Sequence, residues 1–269
     1  MDYTTHNRIV SFIWGIADDV LRDVYVRGKY RDVILPMTVI RRLDALLEPS
    51  KETVLAQKAL LDRAGIQEQE AALFNAAGQG FYNASPFTLK GLLSSPKQLR
   101  EDFEAYLDGF SGNVKEIVSR FNFRDQLRKL ENADVLGNMI EKFLDPSINL
   151  SPKPVLNADG SVKLPELSNL GMGYVFEELI RRFNEENNEE AGEHFTPRDI
   201  VRLMTGLIFM PVKDEIENTS YFVYDCACGT GGMLTEAEGR LQTLAKAHGR
   251  DEVQIRLFGQ EVNDETYAI

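Results

Sequence analysis

The chain has 269 residues, 43% of them hydrophobic, enough for one large core or two smaller ones at ~150 residues per domain. Lys plus Arg number 30 against 42 Asp plus Glu, and the formal charge of -12 argues against a chain that grips a polyphosphate backbone unaided. With 27% charged and 9% aromatic residues, collagen-like, mucin-like and wholly disordered classes drop out.

Residues 1–7 are polar, with no basic stretch leading into an apolar run, and no segment approaches the ~20 apolar residues that span a bilayer. A soluble, cytoplasmic protein without membrane contact is expected. Ile9, Ile13, Ile16, Val20 and Val24 then fall on one stripe of a helix. A second helix is predicted from Asp32, as N-cap, to Pro49, with Pro36 in its first turn, where a missing N–H is tolerated. Further helical spacing covers 54–61, 99–107, 114–121 and 135–144, broken by glycine- and serine-rich turns. Arg22, Arg27, Lys29, Arg31, Arg41 and Arg42 form a local basic cluster, read either as phosphate contact beside a partner or as a solvated helix face.

Residues 145–165 hold four prolines and the turn Asn157-Ala158-Asp159-Gly160, which disfavours a helix and suits a small hairpin. The domain boundary is placed there. Helical spacing resumes at Leu170, Tyr174, Phe176, Leu179, Ile180 and Phe183, and the acidic stretch 184–190 is expected to end that helix as a solvated loop.

Glu193, His194 and Phe195 lead into Thr196-Pro197-Arg198-Asp199, where Thr196 as N-cap, Pro197 at the first helical position and Asp199 at the third predict a capped helix 200–208. The plain reading is a well-capped helix. The functional one is a helix N-terminus whose N–H groups suit a ligand carboxylate.

Residues 221–232 run from an aromatic, β-branched strand, expected to be buried, into a glycine-rich turn and a helix 233–245, the strand-loop-helix unit of nucleotide-binding α/β folds. A phosphate loop would need Lys-Ser or Lys-Thr where Met233 and Leu234 stand, and a dinucleotide fingerprint would need glycine at Leu234. S-Adenosylmethionine fits better: Asp225 at the strand end can pair with an ammonium, the glycines admit backbone approach, and Glu261 after the strand 254–260 can accept both ribose hydroxyls. No metal site is expected, because Cys226, Cys228 and three scattered histidines lack paired ligand spacing, and the two thiols read as small packing groups in a reducing compartment.

The segments 191–198, 225–232 and 258–263, with Ile13-Trp14-Gly15-Ile16-Ala17-Asp18, Tyr30-Arg31-Asp32-Val33-Ile34-Leu35 and Arg41-Arg42-Leu43 ahead of them, together resemble the modification subunit of type I restriction-modification systems. The resemblance implies an adenine-specific DNA methyltransferase using S-adenosylmethionine, with a DNA-specificity subunit that reads sequence, a restriction subunit, and double-stranded DNA reached through the complex. It also implies that Glu193, His194, Phe195, Thr196, Pro197 and Arg198 line the methionine end of the cofactor, that Asp225, Cys228, Gly229, Thr230, Gly231 and Gly232 form its loop, and that Glu261 holds the ribose. Cys226 departs from the family's usual proline.

The family's Asn-Pro-Pro-aromatic loop, which holds a flipped adenine, has no counterpart, since no Pro-Pro pair occurs; Asp145-Pro146-Ser147-Ile148 reads as a helix stop. The expectation is therefore an α-helical N-terminal domain (1–150), a linker (151–166), and the start of an α/β Rossmann-like S-adenosylmethionine-dependent methyltransferase domain (167–269), its doubly wound sheet incomplete. An N-terminal fragment that transfers no methyl by itself is expected. The alternative is a non-catalytic interaction protein that keeps a cofactor-like scaffold.

Overall fold

The stripe of Ile9, Ile13, Ile16 and Val20 is buried along α1 (Tyr3–Leu21), while Val24 lies beyond the helix end and is only half-buried. The computed structural model describes residues 3–186 and 196–268, which divide into a unit ending at Leu167 and a unit beginning at Ser168. Glu193, His194 and Phe195 lie outside the described residues.

In the first unit α2 (Arg31–Leu47) is buried without a break from Val33 to Ile40, the pattern of a helix covered on all sides. Asp32 is not its N-cap. Tyr30 occupies that position, and Asp32 lies in the first turn. Pro36 is accordingly the sixth helical residue, in the second turn, so the carbonyl four residues back at Asp32 loses its helical donor. After α3 (Lys51–Arg63), α4 (Glu70–Ala77) and the single turn α5 (Leu89–Leu92), the chain makes α6 (Leu99–Asp108), α7 (Gly112–Arg120), α8 (Phe123–Asn132) and α9 (Leu136–Phe143). Phe103 of α6 meets Phe123 of α8 edge-on at 6.0 Å, and Tyr106 meets Phe110 at 5.2 Å, which ties α6 and α8 into one aromatic core.

Spacing alone missed α4, α5 and α8. In α4 only Leu73 and Ala77 are buried, too few to show a period, although its alanines favour a helix and Gly78 ends it at φ +64°. The helix expected over 114–121 stops at the break of Phe121 and Asn122, the latter at φ 50°, and α8 starts again directly after it.

The anticipated hairpin forms as β1 (Val155–Leu156) paired antiparallel with β2 (Val162–Leu164). Both ends of its segment are fastened to α2, because Arg42 Nη1 donates to the carbonyls of Leu150 (2.5 Å) and Leu167 (2.9 Å). Arg41 Nε donates to the Phe143 carbonyl at 3.2 Å. Neither reading of the basic cluster therefore holds for these two arginines. Their charge is spent on backbone carbonyls inside the helical unit.

In the second unit α10 (Asn169–Glu186) runs past the expected end, and Asn184 is buried in its last turn rather than solvated. α11 (Arg198–Phe209) starts one residue after Pro197, the first helical position that the capping pattern predicts. Pro197, at ψ 135°, is its N-cap, and its carbonyl takes the amides of Ile200 and Val201; Thr196 makes no cap and no capping box forms, with Asp199 96% exposed. β3 (Ser220–Asp225), α12 (Gly232–Ala247) and β4 (Gln254–Gly259) then make a βαβ unit with the strands parallel, Ser220 opposite Gln254 through Asp225 opposite Gly259. A short α13 (Asp264–Ala268) follows. Tyr221 and Ile255 pack on Ile216, Leu241, Leu244 and Ala245, whereas Phe222 (66%) and Tyr224 (62%) are exposed on the other face. The aromatic strand is thus covered on one side, not buried on both. The alternation of period two explains which residues are which.

Candidate cofactor site

Parallel strands place their carboxyl ends together, and the crevice beyond those ends is where open α/β folds hold ligands. Here Asp225 closes β3 and Glu261 follows β4 by two residues. Gln260 links the two ends: its amide donates to the Asp225 carbonyl at 2.9 Å and its carbonyl accepts from the Cys228 amide at 2.9 Å.

Between β3 and α12 the chain turns twice through left-handed backbone, at Gly229 (φ +56°) and Gly231 (φ +78°). Glycine adopts these conformations without strain, and open space lies where their side chains would be. Gly231 donates to the Cys228 carbonyl at 2.8 Å and its own carbonyl accepts from Thr235 at 2.9 Å, so the turn feeds directly into α12. Close contact fixes the other side: a Cβ on Gly259 would stand 2.7 Å from Cys228 Sγ and 3.2 Å from Leu234 Cδ1. The β4 backbone is pressed onto the loop and onto the residue that a dinucleotide fingerprint would need as glycine.

Glu261 shapes the loop. Its Oε2 accepts from Gly229 at 2.9 Å, and its Oε1 accepts from Val262 and Asn263 at 2.8 Å each. The amides of Asn263, Gly229 and Val262 hold this carboxyl below the usual glutamate range against a smaller opposing effect of burial. Asp225 Oδ1 accepts from Ala227 at 3.0 Å. The field in the crevice is negative, and the Cys228 thiol registers it: burial pushes its pKa up, and Asp225 and Glu261 push it further.

These groups border a cleft of about 580 Å³, in the size range of cofactor pockets. Of the residues singled out in the sequence, Thr196, Asp225, Cys228, Gly229, Thr230, Gly232 and Glu261 line it. Pro197, Arg198 and Gly231 do not line it. Glu177, Met204, Asn263 and Thr266 line it without having been singled out.

Glu177 is the omission that matters. It pairs with Arg198, both side chains 9% exposed, through Nε to Oε2 at 2.8 Å and Nη2 to Oε1. Burial raises the Glu177 pKa, and Arg198 pulls it back. Arg198 also lies 4.1 Å over the Tyr174 ring. Acid and arginine are 21 positions apart, so no local spacing could have paired them.

Among known proteins, residues 9–143 match the HsdM N-terminal domain family and residues 168–269 match the N-6 DNA Methylase family. The chain is 30% identical over 142 residues to the Type I restriction enzyme HindI methylase subunit of Haemophilus influenzae, covering 51% of this chain and 27% of that protein. It is 29% identical over 202 residues to the Type I restriction enzyme MpnII methylase subunit of Mycoplasma pneumoniae, covering 67% of this chain and 34% of that one. The chain thus spans about a quarter to a third of the length of these two relatives. The crystal structure of the type I restriction-modification system methyltransferase subunit from Streptococcus thermophilus shares the fold, with a TM-score of 0.58 at 19% identity over 98% of this chain and 54% of that one. Matched in its two halves, in this order, by the HsdM N-terminal domain and the N-6 DNA methylase families, the chain belongs to the methylase subunits of type I restriction-modification systems.

Proposed function

We propose that the cleft holds S-adenosylmethionine, and that the whole protein transfers its methyl group to the exocyclic amine of adenine in double-stranded DNA. The observation that carries this reading is the pair of carboxylates, Asp225 and Glu261, at the ends of two parallel strands flanking a glycine turn. A cleft walled by acids repels a polyphosphate and suits a ligand bearing an ammonium and a sulfonium. Leu234, buried at the helix-strand contact, speaks against a dinucleotide in the same place.

In this reading Asp225 pairs with the cationic end, the 229–232 backbone lies against the ligand, and Glu261 meets the ribose. A carboxylate has about four lone-pair sites. Three are already committed to amides, so Glu261 offers one strong bond to the diol rather than the two that its position in the sequence suggests. Thr196 borders the methionine end. When bound, S-adenosylmethionine supplies the activated methyl group.

The β3–α12–β4 unit is, in this proposal, the start of a Rossmann-like doubly wound sheet, and the helical unit is a docking module. Sequence recognition falls to a DNA-specificity subunit, with a restriction subunit in the same assembly and a cytoplasmic location. Residues 1–269 contain no Asn-Pro-Pro-aromatic loop to hold a flipped adenine, so they transfer no methyl alone.

Calorimetry tests the cofactor class. S-Adenosylmethionine, or its demethylated product, binds the chain and Glu261→Ala weakens that binding; tight NAD binding with no response to S-adenosylmethionine overturns the assignment. Labelled methyl incorporated into DNA by residues 1–269 above a no-protein control would falsify the inactivity of this stretch.

A further inference from the structure

We propose that the Glu177–Arg198 pair is a brace that sets the geometry of the 229–232 turn, making Arg198 a positioning residue rather than a group that touches the ligand. All three guanidinium nitrogens are occupied. Nε and Nη2 donate to the two oxygens of Glu177, and Nη1 donates to the carbonyl of Gly232 at 3.2 Å. The Tyr174 ring covers the flat face.

Gly232 is pressed onto the same pair, since a Cβ there would stand 2.7 Å from Glu177 Oε1 and 3.5 Å from Arg198 Cζ. It is the first residue of α12 and follows the two left-handed glycines, so any shift of Gly232 is transmitted to Gly231 and Gly229. Burying an acid and an arginine gives little net stability, because desolvation offsets their attraction. What the pair supplies is a fixed position for α10, α11 and the start of α12 around one point. A lysine ammonium, with its three donors on one atom, does not reach the separate positions that Nε, Nη1 and Nη2 serve here.

This inference rests on the cofactor reading only where ligand binding is measured. The test replaces the pair without orphaning a charge, as Glu177→Met with Arg198→Met, and separately makes Arg198→Lys, all in the 269-residue chain. Hydrogen exchange is followed at the amides of Gly231 and Thr235, with β3 and β4 as internal reference, and S-adenosylhomocysteine is titrated by calorimetry. Both variants are expected to melt cooperatively, to exchange at least about tenfold faster at those two amides with the strands still protected, and to bind the probe about tenfold more weakly. Wild-type exchange at Gly231 and Thr235 in a folded variant overturns the brace. Should the double variant not fold, Arg198→Lys alone decides. A wild-type chain that ignores S-adenosylhomocysteine sinks the cofactor reading and leaves the exchange comparison to judge the brace.

Discussion

Glu261 and Gly229, 32 residues apart, are joined by a carboxylate-amide hydrogen bond of 2.9 Å, so the loop after β3 takes its shape from the residue after β4. With two further amides on the same carboxylate, Glu261→Ala is expected to cost about 1–3 kcal/mol in urea unfolding and to speed exchange at Gly229. The carboxyl is held below its ordinary pKa of 4.5 by these amides, so its contribution is fully present above that pH and fades as pH falls through the lower folded-state pKa. Glu261→Ala should remove that part of the acid dependence.

In the helical unit, Lys51 sits buried with its ammonium 3.0 Å from Asn83 Oδ1, and burial pushes its pKa down to about 8, with Asp44 and Glu52 opposing. Between pH 8 and the ordinary value of 10.5 the unfolded chain binds a proton that the folded chain releases. Stability therefore rises with pH across that window, by at most roughly 1.4 kcal/mol per pH unit. Melting profiles of wild type and Lys51→Met should diverge above pH 8, with the variant lacking this rise; parallel profiles would refute the assignment.

Two glycines have opposite expectations. At Gly109, whose φ of -73° suits any residue, a Cβ would lie 2.5 Å from the Ser85 amide nitrogen, so Gly109→Ala forces backbone apart. A loss of about 2 kcal/mol or more is expected. Gly15, inside α1 with open space around it, should gain about 0.5–1 kcal/mol as alanine. Denaturant midpoints compare the two.

Arg42→Met should leave the buried carbonyls of Leu150 and Leu167 without that donor and cost about 2–4 kcal/mol, whereas exposed Arg22→Ala should change stability by less than about 0.5 kcal/mol. If Arg42 instead served nucleic acid, its loss would spare the unfolding midpoint.

The contrast between Arg42 and Gly231 shows what a sequence carries. A glycine turn between a strand and a helix is written in adjacent residues, so the loop and its two acids are legible from 225 to 261. Arg42 looks like any arginine on a helix, and its burial is decided by carbonyls 108 and 125 positions away. Thr196 was misread because the local pattern offers a capping box, whereas Pro197, at ψ 135°, stays outside the helix and takes the cap position itself. Local rules place elements; burial partners set their ends.

The outward side of α11 has a consequence for handling the protein. Ile200, Leu203, Leu207 and Ile208 are 46% to 67% exposed along one helix, a stripe that favours self-association. The net charge of -12 opposes it through mutual repulsion between molecules, and that repulsion has a range of only about 10 Å at 0.1 M salt and about 3 Å at 1 M. Raising the salt should therefore drive this chain from dispersed molecules toward oligomers, the reverse of what is seen when assembly is held by ion pairs.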